Sequence, residues 1–471
     1  MLVIVAAASA TSVAAFREID ALVDALKNGG LELGTELVEA ESGKPQTIML
    51  IGSDKRPDDP RVSVAEKPRS DTVMLVRLDP DKGASLMSLP RDLKVQIPGF
   101  GTDKLNAAYA YGGPKLTLQT VKQLTGLKIN HVINVDFGGF REAVNEIGCV
   151  YMDVDRRYYN DNSGLDKYAA INVKQGYQKM CGRAALNYVR FRHEDNDLIR
   201  SARQQEFLRF ARDQVGVSDL LGDRKKLIQI FGRNTRSDIQ TRKELLRLVK
   251  LTLALDGKPV REVHFEGEIG ASFVTASSSK VRELAGEFLG VEETKGPRGA
   301  PGKRSAGTRP KPRKRAPAPI SQPDLESTNL EGQAQARKAK RAGFPIYYPT
   351  LRTKGALFGG DPRVYLIQGE GDERYPAYRM VIARGQVGEY YGLQGTTWQD
   401  PPILDDPTET KRVGGRDFEL HYDGDRLRIV AWRVGGARYW ISNTLLQTLT
   451  AKQMMSIAQS TRILRSTRRG G

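Results

Sequence analysis

Short apolar segments alternate with helix-like segments between residues 46 and 147, and this alternation is the strongest constraint on what the chain can fold into. Segments 46–52, 72–78 and 84–89 have the length and the flanking turn residues of buried strands. Turn-forming residues join the last two segments, so we expect them to pair as a hairpin.

The alternation continues with a predicted helix at 114–125, a strand at 129–135 and a helix at 137–147. Strands and helices that follow one another in this order pack in layers. The sequence therefore predicts an α/β layered domain in the first part of the chain.

A second folded unit is predicted at 344–465. It contains strand-like segments, an Asp423-Gly424 hairpin turn and a closing helix at 449–464. These segments predict a smaller, β-rich (α+β) domain. Its role is unknown, because its residues form no recognisable catalytic pattern.

A basic, proline-rich segment separates the two units. The chain of 471 residues has a formal net charge of +17, and residues 294–343 contribute 13 basic and 3 acidic side chains to it. Because large aliphatic residues are scarce there, burial cannot offset the chain entropy, and we predict a disordered linker at 294–343. The net charge alone suggests an anionic partner, either nucleic acid, anionic lipid or an acidic substrate.

The first sixteen residues carry no charged side chain. They are fewer than the roughly 20 apolar residues of a bilayer span, and they lack the basic region of a secretory signal. We interpret residues 1–16 as the remnant of a signal anchor, followed by a stalk helix and connector at 17–45. A buried N-terminal helix is the alternative.

Charged side chains stand at the ends of the three predicted strands. Asp54 and Arg56 follow the first strand, the sequence Arg69-Ser70-Asp71 precedes the second, and Arg91-Asp92 follows the third. Farther along, Arg190 and Arg192 would point the same way on an extended segment. Arg200, Arg203 and Gln204 would share one face of a helix.

This set of residues favours a pyrophosphate site. Arginine binds phosphate oxygens through two parallel hydrogen bonds, and carboxylates suit such a site when Mg²⁺ lies between them and the phosphates. The histidines and the two cysteines are too scattered to predict a metal site of their own. Solvated surface ion pairs are the alternative interpretation.

Six motifs in a fixed order resemble those of LytR-CpsA-Psr proteins between about residues 46 and 289. They are Gly52-x-Asp54-x-Arg56, Arg69-Ser70-Asp71-Thr72, Ser88-Leu89-Pro90-Arg91-Asp92, Lys104-x-Asn106 with Gly112-Gly113, Tyr188-Val189-Arg190-x-Arg192 and Arg203-Gln204-Gln205. The resemblance implies a three-layer α-β-α sandwich with a central mixed sheet at 46–290. It also implies a single N-terminal anchor in a bacterial cell membrane, with the domain on the extracytoplasmic side.

The resemblance implies a phosphotransferase that moves a glycopolymer from a polyprenyl-pyrophosphate carrier onto a peptidoglycan hydroxyl, with Mg²⁺ or Mn²⁺ as cofactor. The metal ligands would be Asp54 and Asp71. Pyrophosphate contacts would be Arg56, Arg69, Arg91, Arg190, Arg192, Arg203, Gln204 and Gln205. Catalysis would rest on Asp71, Arg91, Asp92, Arg190 and Arg192, with Asp92 or Asp71 orienting or deprotonating the hydroxyl.

Two further expectations accompany this hypothesis. Cys149 and Cys181 fall where some family members carry a disulfide, and two buried free thiols are the alternative. The polyprenyl tail needs an apolar tunnel, for which Phe100, Phe137, Phe140 and Leu186 are candidates, although core packing is the commoner fate of such residues.

Two other functions remain open at this stage. One is a hydrolase that releases the lipid-linked polymer to water at the same metal site. The other is a non-catalytic wall-polymer binder that acts through the basic linker. Nucleic acid is disfavoured as a partner, because the arginines with a predicted role lie beside carboxylates and much of the remaining positive charge lies in the linker.

Overall fold

A six-stranded mixed sheet forms the centre of the first domain in the computed structural model of the chain. The structure describes residues 23–24, 30–53, 68–163, 170–191, 195–214, 235–255, 258, 260–290, 324–385, 387–423 and 426–464.

The strands of the first domain are β1 (Gln46–Ser53), β2 (Ser70–Asp79), β3 (Gly83–Leu89), β4 (Lys94–Ile97), β5 (Gly101–Lys104), β6 (His131–Asp136), β7 (Val150–Val154), β8 (Tyr158–Asn160), β9 (Ile171–Val173), β10 (Gly176–Met180), β11 (Thr235–Ser237), β12 (Val260–Val263), β13 (Glu268–Ile269) and β14 (Val274–Thr275). Its helices are α1 (Leu105–Thr125), α2 (Phe137–Glu146), α3 (Gly182–Arg190), α4 (Asp197–Gln214), α5 (Arg242–Leu253) and α6 (Ser278–Leu289), with a 3₁₀ turn at Gly34–Glu36.

The sheet has the order β11-β6-β1-β2-β3-β12. β2 pairs antiparallel with β1 and with β3, whereas β6 runs parallel to β1 and β12 parallel to β3. The predicted hairpin of β2 and β3 is therefore confirmed. Because of these directions, the end of β1, the start of β2, the end of β3 and the end of β6 all meet at one edge of the sheet.

Alternate residues of the central strands form the core. Met49 and Ile51 of β1, with Val73 and Leu75 of β2, belong to one buried cluster with side chains of α1 and α6. The period of two matches the pleat of a sheet with one face against these helices. α4 contacts β3 and β12 but contributes its buried phenylalanines to a different cluster, so helices flank the sheet as predicted.

Helix α1 is longer than the sequence indicated, because it continues across a kink. Gly112 and Gly113 have non-helical dihedral angles, and the predicted helix at 114–125 is only the part after them. A Gly-Gly-Pro sequence usually ends a helix. In the structure the helix begins at Leu105. Its first turns, which precede the two glycines, pack on the loop after β3.

The second domain is β-rich, as predicted. Its strands are β15 (Leu325–Ser327), β16 (Tyr347–Tyr348), β17 (Leu351–Thr353), β18 (Leu357–Phe358), β19 (Arg363–Gln368), β20 (Arg374–Ala383), β21 (Tyr390–Thr396), β22 (Glu409–Val413), β23 (Arg416–Asp423), β24 (Arg426–Val434), β25 (Ala437–Ser442) and β26 (Arg462–Ile463). Its helices are α7 (Asn329–Ala339) and α8 (Ala451–Ser460), with 3₁₀ turns at Lys340–Ala342 and Pro402–Leu404. The main sheet has eight strands, in the order β18-β20-β21-β25-β24-β23-β22 with β19 paired to β20.

The C-terminal part of the predicted linker is folded, which corrects the sequence-based expectation. Residues 324–343 contain β15 and α7, and Ala336, Ala339 and Ala342 are buried in the core of the second domain. The expectation counted large aliphatic residues, but this helix packs through small ones. Residues 294–323 of the predicted linker lie outside the described residues, as does the predicted anchor remnant at 1–16.

Residues of the predicted connector, which follows the predicted stalk helix, pack on the first domain. Leu31 and Leu33 are buried in its core, and the Leu31 N–H donates to the Ser237 carbonyl of β11. In the part of the chain that the structure describes, no helix is long and apolar enough to cross a membrane.

The two domains share a buried interface. Tyr177 of β10, Ile367 of β19 and Trp440 of β25 belong to one apolar cluster. Within it, Asp153 of β7 lies 3.2 Å from Arg379 Nη1 and accepts a hydrogen bond from Trp440 Nε1 at 3.3 Å. The domains therefore form one packed structure, although the sequence suggested two separate units.

We expect Asp153→Ala to destabilise the protein by about 3–5 kcal/mol, because it leaves the buried Arg379 without its counter-charge. The measurement is urea unfolding. Asp417→Ala removes the partner of Arg412 from an exposed pair with side chains 59% and 72% exposed, and it should cost less than about 1 kcal/mol. Equal effects of the two substitutions would contradict a structural role for the interface pair.

A disulfide joins Cys149 to Cys181 in the structure, with their Cα atoms 4.5 Å apart and a sequence separation of 32. It connects the segment before β7 to the start of α3.

We expect replacement of both cysteines by serine to lower the free energy of unfolding by roughly 3–4 kcal/mol, because the bond no longer restricts the loop that it closes in the unfolded chain. Thiol titration of the unreduced, denatured protein checks the bond itself, and the appearance of two free thiols would refute it.

Candidate active site

Asp71 is placed at the sheet edge by an irregularity in strand pairing. Gly52 pairs with Thr72 and Ser53 with Ser70, so Asp71 is the extra residue of a β-bulge. Bulges change the direction of a side chain relative to the regular pleat. Glycine suits position 52, because a Cβ there would lie only 3.1 Å from the Cβ of Thr72.

The carboxylate of Asp71 lies between two arginines. Arg91 Nη1 donates to Oδ1 at 2.9 Å, and Arg190 lies at Oδ2 through Nη2 at 3.1 Å and Nε at 3.2 Å. Burial alone would raise the pKa of Asp71, but the positive charges of Arg190, Arg200 and Arg91 outweigh it and hold the pKa below its ordinary value. Asp71 is therefore ionised at neutral pH.

The loop after β3 carries Arg91 and Asp92 and is held by backbone hydrogen bonds. The Arg91 carbonyl accepts from the Asn106 N–H at 3.0 Å, and the Asp92 carbonyl accepts from the Val274 N–H at 2.9 Å. The Asp92 N–H in turn donates to Asp197 Oδ2 at 3.2 Å. The positions of both side chains thus depend on α1, β14 and α4.

The side chain of Asp92 has cationic neighbours of its own. Lys104 Nζ lies 3.1 Å from Oδ1, and Arg91 Nε lies 3.8 Å from Oδ2. With 28% of its side chain exposed against 15% for Asp71, Asp92 is the more accessible of the two carboxylates.

Helix α4 adds Asp197, which the sequence did not single out, and Arg200, which it did not include among the predicted pyrophosphate contacts. Asp197 lies in its first turn, with Oδ1 3.9 Å from Arg91 Nε, and Arg200 donates to the same carboxylate. Burial and the nearby Arg91 lower the pKa of Arg200 to about 9. The sequence did place Arg200 on one helical face with Arg203, and the Asp-x-x-Arg spacing was the signal that could have identified both residues.

Arg190 reaches the cluster from the end of a helix. It is the last residue of α3, so the extended segment expected around it is wrong at this position. Its guanidinium lies 3.8 Å from the ring centroid of Phe137, the residue that follows β6. Arg192, the second arginine of that motif, lies outside the described residues, as do Asp54 and Arg56.

The structure does not bring three predicted pyrophosphate contacts into this cluster. Arg203 is fully buried, is paired with Asp195 and donates to the Phe191 carbonyl. The side-chain amides of Gln204 and Gln205 donate to the carbonyls of Val189 and Val263, at 3.3 and 2.9 Å. Each helical residue advances along the axis, so a shared face does not place them all at the sheet edge.

The candidate tunnel residues have separate environments. Phe137 faces Arg190, Phe140 packs against Phe207 with ring centroids 5.4 Å apart, and Phe100 is 55% exposed. Leu186 is buried in α3. These contacts do not identify a common tunnel wall.

The chemistry of the described cluster suits a phosphate ligand. Four cations, Arg91, Arg190, Arg200 and Lys104, surround three carboxylates, so the set has a surplus positive charge. Guanidinium groups that converge from different segments bind and stabilise phosphate oxygens. Arg69, the remaining predicted contact, is exposed at the start of β2.

A divalent cation also fits the donor chemistry. Among the residues that the structure describes, no group of three or more His, Cys, Asp or Glu side chains is arranged to hold a metal. Mg²⁺, however, commonly binds through one or two carboxylates together with substrate phosphates. Asp71 is ionised and retains lone pairs beyond its contacts with arginine. Ser53, which precedes Asp54, pairs with Ser70, which precedes Asp71.

Comparison with known proteins finds relatives of the first domain. The chain is 33% identical over 221 residues to the uncharacterized protein SAOUHSC_00997 of Staphylococcus aureus, covering 45% of this chain and 53% of that protein. It is 31% identical over 228 residues to the polyisoprenyl-teichoic acid–peptidoglycan teichoic acid transferase TagV of Bacillus subtilis, covering 47% and 56%. A solved structure described as TagT bound to LI-WTA is 26% identical, with a TM-score of 0.44, and covers 55% of this chain and 98% of that one.

The chain thus spans about half the length of these two relatives. The model of the LytR_cpsA_psr family matches residues 14–285, which is more than half of the 471 residues and ends before the second domain. The six sequence motifs, between residues 52 and 205, lie within the matched residues. The chain belongs to the LytR-CpsA-Psr family.

Proposed function

We propose that the protein is a phosphotransferase that moves a glycopolymer from a polyprenyl-pyrophosphate carrier onto a peptidoglycan hydroxyl, at the outer face of a bacterial membrane. The observation that carries the proposal is Asp71 held between Arg91 and Arg190, with Arg200 behind them. The names of the similar TagV and TagT proteins, which are teichoic acid transferases, support it.

The arginines perform the main part of the chemistry. Arg91, Arg190 and Arg200 bind the pyrophosphate oxygens and stabilise the negative charge that accumulates as the phosphoanhydride bond breaks. A sugar hydroxyl attacks the phosphorus next to the polymer, and the lipid monophosphate leaves. Because Asp71 already neutralises two of these arginines, the pyrophosphate must share them with the carboxylate.

The carboxylates have different roles in this proposal. Asp71 is a weak base, because its pKa is lowered, and it is suited to bind a cation together with Asp54. Mg²⁺ or Mn²⁺ bound there would neutralise part of the pyrophosphate charge. Asp92 is more exposed, and we assign it to orient the attacking hydroxyl and to accept its proton.

We expect Arg91→Ala to lower the rate of transfer by about 10²-fold or more, since it removes one donor to the developing charge. Arg91→Lys keeps the charge but loses the two-pronged hydrogen bonding and should recover only part of the rate. The assay combines lipid-linked glycopolymer and peptidoglycan with purified protein, with circular dichroism to verify the fold. Arg412→Ala, in an exposed pair of the second domain, is the matched control.

The same assay separates the proposed function from its two alternatives. A covalent polymer–peptidoglycan product supports the transferase, whereas free polymer released in the presence of acceptor would identify a hydrolase. Deletion of 294–323 tests the binding alternative without removing the folded residues 324–343. If that deletion abolishes function while Arg91→Ala has no effect, the protein is a wall-polymer binder.

We expect Asp71→Asn to weaken the binding of Mn²⁺ in the presence of pyrophosphate, because it removes the ionised carboxylate at the cluster. Since the pKa of Asp71 is lowered, this carboxylate stays ionised between about pH 5 and pH 8, so Mn²⁺ binding should show the same pH dependence there as the binding of Mn²⁺ to pyrophosphate alone. Titration calorimetry checks both results, and Asp417→Asn serves as the control. Unchanged Mn²⁺ affinity in Asp71→Asn would refute the metal assignment.

A further inference from the structure

Two exposed aromatic side chains lie beside the cluster and have no part in the reaction described so far. Phe100 is 55% exposed and Tyr111 is 42% exposed. Their rings are stacked, with centroids 4.8 Å apart and planes 8° from parallel. Large aromatic groups ordinarily gain from burial, so an ordered exposed pair points to a binding surface.

The backbone holds the two rings together through glycines. Phe100 lies in the tight turn between β4 and β5, flanked by Gly99 and Gly101, both with φ of +78°. Tyr111 directly precedes the kink of α1 at Gly112, where a Cβ would lie 2.7 Å from the Cβ of Leu116. The turn and the kink therefore fix the positions of the rings.

Asp103 of β5 provides a polar edge to the pair. The Tyr111 hydroxyl donates to Asp103 Oδ2 at 2.7 Å, and the Lys104 N–H donates to Oδ1 at 2.7 Å. The hydrogen bond from Tyr111 lowers the pKa of Asp103, with a smaller contribution from the charge of Arg69. An ionised acceptor thus lies next to the aromatic surface.

The aromatic pair is connected to the candidate active site through adjacent residues of β5. Asp103 contacts Tyr111, and the next residue, Lys104, places its ammonium group 3.1 Å from Asp92 Oδ1. Lys104 therefore links the aromatic pair to Asp92, the carboxylate assigned to the attacking hydroxyl.

We propose that Phe100 and Tyr111 form a saccharide platform, which binds the apolar face of a pyranose ring next to the reacting phosphorus. Asp103 and Lys104 hydrogen-bond the hydroxyl groups of the same sugar. A pyranose offers the combination that the platform matches, a flat face of C–H groups with hydroxyls around its edge. This inference rests on the proposed function, because the sugar is either the first residue of the donor polymer or the acceptor residue of peptidoglycan.

A membrane surface is a poorer match for the same residues. Insertion of the rings into lipid would carry the ionised Asp103 and the neighbouring Lys104 toward an apolar medium. The transfer of charged groups out of water is costly unless they are fully paired. A sugar leaves both groups in a polar setting and supplies them with partners.

The test compares Phe100→Ala and Tyr111→Ala with Tyr159→Ala. Tyr159 is a suitable control, because it is 46% exposed and its hydroxyl also contacts a carboxylate, Asp161, at 3.3 Å. We expect each platform variant to raise KM for one glycan substrate by about fivefold to tenfold, with kcat changed less. Tyr111→Phe keeps the ring and should have a smaller effect.

The substrate whose KM rises identifies the sugar. A rise for the lipid-linked donor assigns the platform to the polymer, and a rise for peptidoglycan assigns it to the acceptor. Calorimetric binding of soluble glycan fragments of both polymers gives a readout that does not depend on turnover. Tyr159→Ala should match the unaltered protein in every measurement.

Two results would overturn the inference. One is unaltered KM and unaltered binding of both glycans in the Phe100 and Tyr111 variants while Arg91→Ala is inactive, which leaves the proposed function intact. The other is weaker binding of those variants to phosphatidylglycerol vesicles with normal glycan binding, which would identify a membrane contact. An active Arg91→Ala variant would refute the proposed function instead, and glycan binding would then decide on the platform by itself.

Discussion

The site depends on the carboxylate of Asp71, which allows two positively charged arginine side chains to lie close together. Arg91 follows β3 and Arg190 ends α3, so the two guanidiniums come from distant parts of the chain, and both contact Asp71. Without a counter-charge, their mutual repulsion in a partly buried setting would oppose the approach of these segments. Burial, with a smaller contribution from the charge of Arg91, lowers the pKa of Arg200 in the same cluster. In the proposed function, an incoming pyrophosphate supplies further negative charge to these arginines.

The remainder of the fold fixes where that carboxylate stands. The β-bulge sets the direction of Asp71, and the strand order brings its partners to the same edge. Helix α4 carries Arg200 near its start, while farther along Arg209 pairs with Glu262 at 2.7 Å and with Asp423 of the second domain at 3.3 Å. Ile199, next to Arg200, packs with Leu445 of the second domain. The helix that bears the site arginine is therefore held by both domains.

The sequence allowed a prediction of the local elements, and it was less informative about how they meet. Apolar runs with turn residues identified β1, β2 and β3, and charged residues at the strand ends predicted the grouping of Asp71 with Arg91 that the structure contains. The bulge at Asp71 arises from pairing between strands, which no local pattern encodes. Arg203 shares a helical spacing with Arg200, yet only packing shows that Arg203 is buried against Asp195. Helix α7 was missed because its buried face consists of alanines, which a count of large aliphatic residues ignores.

The proposed function requires this cluster to bind the pyrophosphate of a lipid carrier. The most direct measurement is a crystal structure of the full chain with polyprenyl pyrophosphate and Mg²⁺. We expect phosphate oxygens within hydrogen-bonding distance of Arg91, Arg190 and Arg200, with the cation on Asp71. A pyrophosphate bound elsewhere, with the contacts of Asp71 to Arg91 and Arg190 unchanged, would contradict it.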